Sequence, residues 1–214
     1  MSAVRRLLRR LRRLLLDRVL ERSGETSEAV RLDELGLGLG LGDYHDYEPS
    51  GWRSLSRALR GLDTGPADSF LDIGCGKGRV VAQAARRPFK RVLGVELSPQ
   101  LAQSARELAE GDRRRRRCGE VEIVVADVTT WRMPDDVTVV YVYNALSGAG
   151  LEAMLDRIAE SAGRAPRRLL LLYANPIHEA DVLRHPGFEL VRRRAGRRWS
   201  PTDPRRISIF RVLP

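Results

Sequence analysis

Lysine is nearly missing from this chain. Lys77 and Lys90 are the only two, in 214 residues that carry 38 basic side chains in all. Cysteine is as scarce: Cys75 and Cys118 are too few for a disulfide framework and lack the paired spacing of a zinc site, which suits a reducing, cytoplasmic setting. The three histidines, His45, His178 and His185, have no ligand spacing, so no metal site is expected. No apolar stretch approaches the roughly 20 residues that cross a bilayer. Aromatic residues make up only 6%, yet a hydrophobic share of 43% is enough for the core of one large domain.

The net charge of +10 is unevenly spread. Residues 1–23 hold eight arginines against Asp17 and Glu21, and Arg113 to Arg117 form an unbroken run, so the rest of the chain is close to neutral. The body of the protein is therefore not basic; two attachments are. In the first attachment Val4, Leu7, Leu8, Leu11, Leu14, Leu15, Val19 and Leu20 recur at helical spacing with arginines on the opposite face, and Gly24 ends the pattern. Such a helix either packs on its own domain or a neighbour, or rests on an anionic membrane surface or acidic partner, which would make the protein membrane-peripheral. The run "LGLGLGLG" at 35–42 reads as a flexible connector. Residues 1–43 thus form a basic helix and linker, and 44–214 the main domain. The Arg113 to Arg117 run reads as a solvated loop, with a phosphate-contacting loop for RNA as the alternative.

From Ser69 onward strand and helix patterns alternate. "FLDIGC", "RVLGVE", "VEIVVAD", "VTVVYVYN" and "RRLLLLYAN" read as buried strands, and "FELVRRR" and "RISIFRVL" as two more with no helix between them. Ser98 and Pro99 have the chemistry of a helix cap and first turn. The fold expected is α/β: a doubly wound, mainly parallel seven-stranded sheet with its last strand antiparallel, plus the N-terminal helical extension. The final two strands should pair at one edge.

Ligands of open α/β sheets bind beyond the carboxyl ends of the strands. There the sequence places Asp72 and Gly74 after the first strand, Glu96 after the second, Asp127 after the third and Asn144 after the fourth. One acid at a strand end is an ordinary cap; three in succession suggest a site. The loop Gly74-x-Gly76-x-Gly78 lacks the glycine at 79 of a dinucleotide fingerprint, and Lys77 is followed by glycine rather than the Ser or Thr of a P-loop. What remains is a tight turn for a ligand without a pyrophosphate. Glu96 suits the two hydroxyls of a ribose and Asp127 an adenine amino group.

"DIGCGKGR", "GVELS" and "VVADV" resemble motifs I, II and III of the class I S-adenosylmethionine-dependent methyltransferases, over about residues 47 to 213. The resemblance implies the seven-stranded sheet already expected and S-adenosyl-L-methionine as cofactor. It implies that Asp72, Gly74, Cys75, Gly76 and Gly78 border the methionine part and that Glu96, with Leu97, holds the ribose. Asp127 and Val128 would hold the adenine, and Asn144 and Ala145 would lie under the methionine end, facing the acceptor.

The segment "YHDYEPSGWRSLSRAL", 44 to 59, is similar to one in small seven-strand protein-lysine methyltransferases. That implies Tyr47, Pro49 and Ser50 beside the methionine end or the acceptor channel. Tyr44 and Trp52 read instead as packing residues. Asn144 followed by Ala145 and Leu146 departs from the Asn/Asp-Pro-Pro pattern of base-amine and glutamine methylation.

The expected function is methyl transfer to an amine, on a protein lysine or a small molecule, with Asn144 and Tyr47 as catalytic candidates. An RNA methyltransferase, or a non-catalytic binding protein that keeps the pocket, are the alternatives. Glu96→Ala is expected to lose cofactor binding with little loss of fold.

Overall fold

The computed structural model describes residues 29–31, 33–35, 42–195 and 204–214. The amphipathic helix expected over 1–23 and the centre of the glycine-rich connector lie outside them. Seven strands follow in order: β1 (Ser69–Ile73), β2 (Arg91–Glu96), β3 (Glu120–Val125), β4 (Val137–Tyr143), β5 (Leu170–Ala174), β6 (Phe188–Arg194) and β7 (Ile207–Val212). Helix α1 (Ser54–Ala58) precedes β1, and α2 (Arg79–Ala85), α3 (Pro99–Gly111), α4 (Gly148–Arg164) and α5 (Glu179–Arg184) lie between the strands.

The spatial order is β3-β2-β1-β4-β5-β7-β6. Strands β1 to β5 are parallel, and β7 runs antiparallel to both β5 and β6. The last two strands do pair, but β7 is inserted and β6 forms the edge. A hairpin-like sequence pattern looks the same in either order, so only the partner of β5 decides it.

Strand alternation divides the apolar runs between two layers. Leu71, Ile73, Leu93, Val140 and Leu171 face the side covered by α4, through Leu151, Met154, Leu155 and Ile158. Phe70, Val92, Val139, Tyr141 and Leu172 face α1, α2 and α3, through Leu55, Val81, Ala84 and Ala105. The β1–β4 boundary, where the strand order reverses, is the switch point at which such sheets hold ligands.

The glycine loop connects β1 to α2. Gly78 has φ 79°, and a Cβ there would stand 2.8 Å from both Cα and Cβ of Ala105. It is the residue at which α2 and α3 touch. Gly78→Ala combines left-handed strain with a backbone clash and is expected to destabilise the fold by about 2–4 kcal/mol. Thermal denaturation should show a melting point lower by roughly 5–10 °C. The expected start of α3 is seen directly: the Ser98 hydroxyl accepts from the Leu101 N–H at 3.3 Å, and Pro99 opens the helix. The Arg113 run, read as a loop, contains a single 3-10 turn over Arg113–Arg115.

Candidate active site

A cavity of about 490 Å³ opens at the carboxyl ends of β1, β2 and β4. Asp72 and Glu96 form its floor, being the last polar residues of adjacent strands, and they are 3% and 8% exposed. Glu96 is fully engaged: Oε2 accepts from the Gly76 N–H at 2.8 Å and Oε1 from the Ser98 N–H at 3.0 Å. Its carboxylate therefore braces the glycine loop against the start of α3. Burial raises its pKa, opposed by the donors from Ser98, Gly76 and Leu97. Among the described residues no donor reaches Asp72. Burial first, and then the charge of Glu96, push its pKa well above the carboxylate range. A carboxylate held in a cavity wall with no donor among the described residues is a group arranged for something that enters the cavity.

Over this floor runs a strap, residues 42–50, pinned at several points to the turn between β4 and α4. The Asp43 carbonyl accepts from the Ser147 N–H at 2.8 Å, and its Oδ2 accepts from the Gly150 N–H at 2.9 Å. The His45 N–H donates to the Ala145 carbonyl at 3.0 Å, and His45 Nδ1 donates to the Asn144 carbonyl at 2.7 Å. Because a carbonyl can only accept, this bond fixes the proton of His45 on Nδ1.

Tyr47 continues the strap onto the loop. A Cβ on Gly76, whose φ is 54°, would lie 2.1 Å from the Tyr47 ring, so the glycine is the seat on which that ring rests. Burial pushes the Tyr47 hydroxyl up to about 12. Beyond it, Arg79 is buried at the start of α2, donates Nη1 to the Ser50 carbonyl at 3.0 Å and lies 4.7 Å from the centre of the Trp52 ring.

Of the residues singled out from sequence, the cavity wall contains Asp72, Gly74, Cys75, Glu96, Leu97 and Val128, together with Asn144, Tyr47 and Ser50. Gly76 and Gly78 lie behind the wall, one under Tyr47 and one against α3. Pro49 and Asp127 are not part of it. Asp127 is engaged elsewhere: its Oδ1 accepts from the Tyr44 hydroxyl at 2.5 Å, the Thr129 N–H at 2.9 Å and the Thr129 hydroxyl at 2.6 Å. Burial would raise its pKa, but the donors from Thr129 and Tyr44 outweigh it and hold the carboxylate below its ordinary value. The Tyr44 hydroxyl is pushed up to about 12 by burial and by donating to Asp127. Tyr44 is thus more than packing; it ties the strap to the end of β3. Tyr44→Phe should loosen the strap by about 1.4 kcal/mol, so that amide exchange at His45 and Tyr47 accelerates about tenfold.

Several wall residues were not singled out from the sequence. Asn175 follows β5 in the same left-handed turn (φ 50°) as Asn144 follows β4 (φ 44°). An Asn just past each strand is the hint that was available. His45, Tyr143 and Arg79 enter the wall through tertiary packing alone.

Comparison with known proteins places this geometry. Residues 70–163 match the family described as "Methyltransferase domain". Over 68 residues, 31% of this chain and 18% of the relative, the sequence is 38% identical to (S)-coclaurine N-methyltransferase of Thalictrum flavum subsp. glaucum. Over 143 residues, 63% of this chain and 37% of the relative, it is 27% identical to an uncharacterized 37.1 kDa protein in transposon TN4556 of Streptomyces fradiae. The chain therefore spans well under half the length of these curated relatives. Among solved structures, an RNA methyltransferase from Salinibacter ruber in complex with S-adenosyl-L-homocysteine superposes with a TM-score of 0.54 at 20% identity, covering 78% of this chain and 94% of that one. The shared architecture is the seven-stranded α/β fold.

Proposed function

We propose that the chain, whose residues 70–163 match a methyltransferase domain, transfers a methyl group from S-adenosyl-L-methionine to an amine nitrogen. The observation that carries this reading is the pair Asp72 and Glu96, side by side at the cavity floor under a glycine loop. The residues present fit the cofactor. The Gly76 and Ser98 N–H groups hold the Glu96 carboxylate at the cavity floor, with acceptor capacity left for ribose hydroxyls. Leu97, Leu101 and Val128 supply an apolar slot for a flat heterocycle. The bare Asp72 carboxylate suits the cationic end of the ligand, whose positive charge would also lower the cost of keeping Asp72 ionised.

When bound, the cofactor supplies a methyl group already activated by a sulfonium. The protein's part is to hold, desolvate and align. The wall is acidic, with Asp46, Glu48, Asp72 and Glu96 against Arg79, so it favours a cation over a neutral ligand. Tyr47 and Tyr143 present aromatic surface on which an amine sheds water. Transfer forms the N–C bond while the C–S bond breaks with its electron pair left on sulfur, and the proton leaves the nitrogen. An N-methyltransferase among the relatives supports nitrogen as the receiving atom.

The test is transfer of a tritiated methyl group to cell extract. Label that survives alkaline hydrolysis and appears on amines supports the reading. Label released as methanol would place the methyl on an ester oxygen instead.

A further inference from the structure

The strand order β2-β1-β4-β5 runs across the floor of the cavity, and its two sides differ. Glu96, Leu97 and Leu101 stand on the β2 side, the one proposed for the nucleoside of the cofactor. Tyr143, Asn144, Asn175 and Ile177 form the β4 and β5 side. A methyl acceptor that enters beside the cofactor takes that second side.

His45 belongs to it. Its Nδ1–H is held by the Asn144 carbonyl at 2.7 Å, and its ring lies 5.7 Å, centre to centre, from that of His178 in the turn after β5. That turn is tied down as well. The Tyr173 hydroxyl donates to Asn144 Oδ1 and accepts from the His178 N–H, both at 3.4 Å. A strap residue is thereby fixed against the ends of two core strands. With the proton on Nδ1, the lone pair of the neutral ring is on Nε2. Among the described residues no hydrogen bond reaches that atom.

The wall explains why a base is needed. An amine drawn to carboxylates arrives as an ammonium, and the same carboxylates hold its proton on. An ammonium nitrogen has no lone pair with which to receive a methyl group. The Tyr47 and Tyr143 hydroxyls keep their own protons at neutral pH, because burial raises both. Asp46 and Glu48 are exposed. An imidazole exchanges protons near neutral pH, and that of His45 is half-buried in the cavity wall.

We infer that His45 is the general base of the reaction, its Nε2 taking a proton from the acceptor ammonium. The N–H bond of the ammonium breaks, the Nε2–H bond forms, and the freed electron pair stays on the acceptor nitrogen. The Asn144 carbonyl steadies the resulting imidazolium through Nδ1–H, and the Nε2 proton passes to water after the product leaves. This assignment rests on the methyl-transfer reading. The titratable groups around His45 are His178, with Asp181 3.6 Å from its Nδ1, and Asp43, Tyr44 and Asp46 on its own strap. The turn after β4 adds Asn144 and Ala145, which carry no charge.

The test is His45→Asn, whose amide N–H can replace Nδ1–H at the Asn144 carbonyl while the Nε2 lone pair is lost. The readout is the initial rate of tritiated methyl transfer to amines of heat-treated cell extract, followed from pH 6 upward. The variant should bind S-adenosyl-L-methionine like wild type in calorimetry, which shows it to be folded. It should transfer about 100-fold more slowly at pH 7. The deficit should shrink roughly tenfold by about pH 9.5, where more of the amine arrives without its proton. A merely structural role would slow transfer equally at every pH. Heteronuclear NMR of the nitrogen-labelled full chain at pH 8 should find His45 protonated on Nδ1 and bare on Nε2. The opposite tautomer, a rate within about threefold of wild type at pH 7, or a deficit independent of pH would overturn the assignment and leave methyl transfer standing. Absence of transfer by wild type would overturn both.

Discussion

Glu96→Ala is expected to weaken S-adenosyl-L-methionine binding by roughly 100-fold, the effect of losing two charge-assisted hydrogen bonds of about 1.5 kcal/mol each. The sequence alone suggests that the fold would scarcely notice. The structure corrects that expectation, because Glu96 also accepts the N–H groups of Gly76 and Ser98. Alanine leaves both donors without their partner, and a buried donor so stranded costs about 1–3 kcal/mol. The variant should therefore melt earlier as well as bind poorly. Isothermal titration and thermal denaturation separate the two effects. A variant that melts like wild type would mean that the carboxylate does not brace the loop.

Asp72→Asn is expected to do the opposite to stability. The folded protein holds the Asp72 proton more tightly than an unfolded chain does, because burial and the neighbouring Glu96 charge disfavour the carboxylate. The folded pKa is thus raised above its unfolded value near 3.9. The penalty from Asp72 is absent below that unfolded value. It grows as pH rises toward the folded pKa and is complete above it. Asparagine keeps the shape and removes the charge, so the variant should melt above wild type at neutral pH. The advantage should shrink as the pH is lowered. Cofactor binding should fall at least tenfold at the same time, since a hydrogen bond to a charged group contributes about 1.5–3 kcal/mol. Gain of stability with loss of binding would mark Asp72 as a group kept for its ligand. A drop in melting point would show that something in the folded protein already satisfies the carboxylate.

The parts of this account visible in sequence are those set by local pattern. Strands β2 and β6 have the bounds that their residue runs suggest, and Ser98 caps α3 as its chemistry requires. Asp72 and Glu96 converge because successive parallel strands end at one edge, a consequence of topology that the βαβ pattern already encodes. What was not legible depends on contacts between distant segments. Tyr44 reaches Asp127 across 83 positions, and Tyr47 rests on Gly76 through the path of the strap. Neither segment's own periodicity announces the other. The insertion of β7 between β5 and β6 is hidden for the same reason.

The central claim is that the cavity beneath the glycine loop binds S-adenosyl-L-methionine. Calorimetric titration of the purified protein with S-adenosyl-L-methionine, S-adenosyl-L-homocysteine and NADH tests it most directly. The account predicts micromolar binding of the first two, none of NADH, and loss of both signals in Glu96→Ala. Absence of binding by either sulfur ligand to a protein shown to be folded would contradict it.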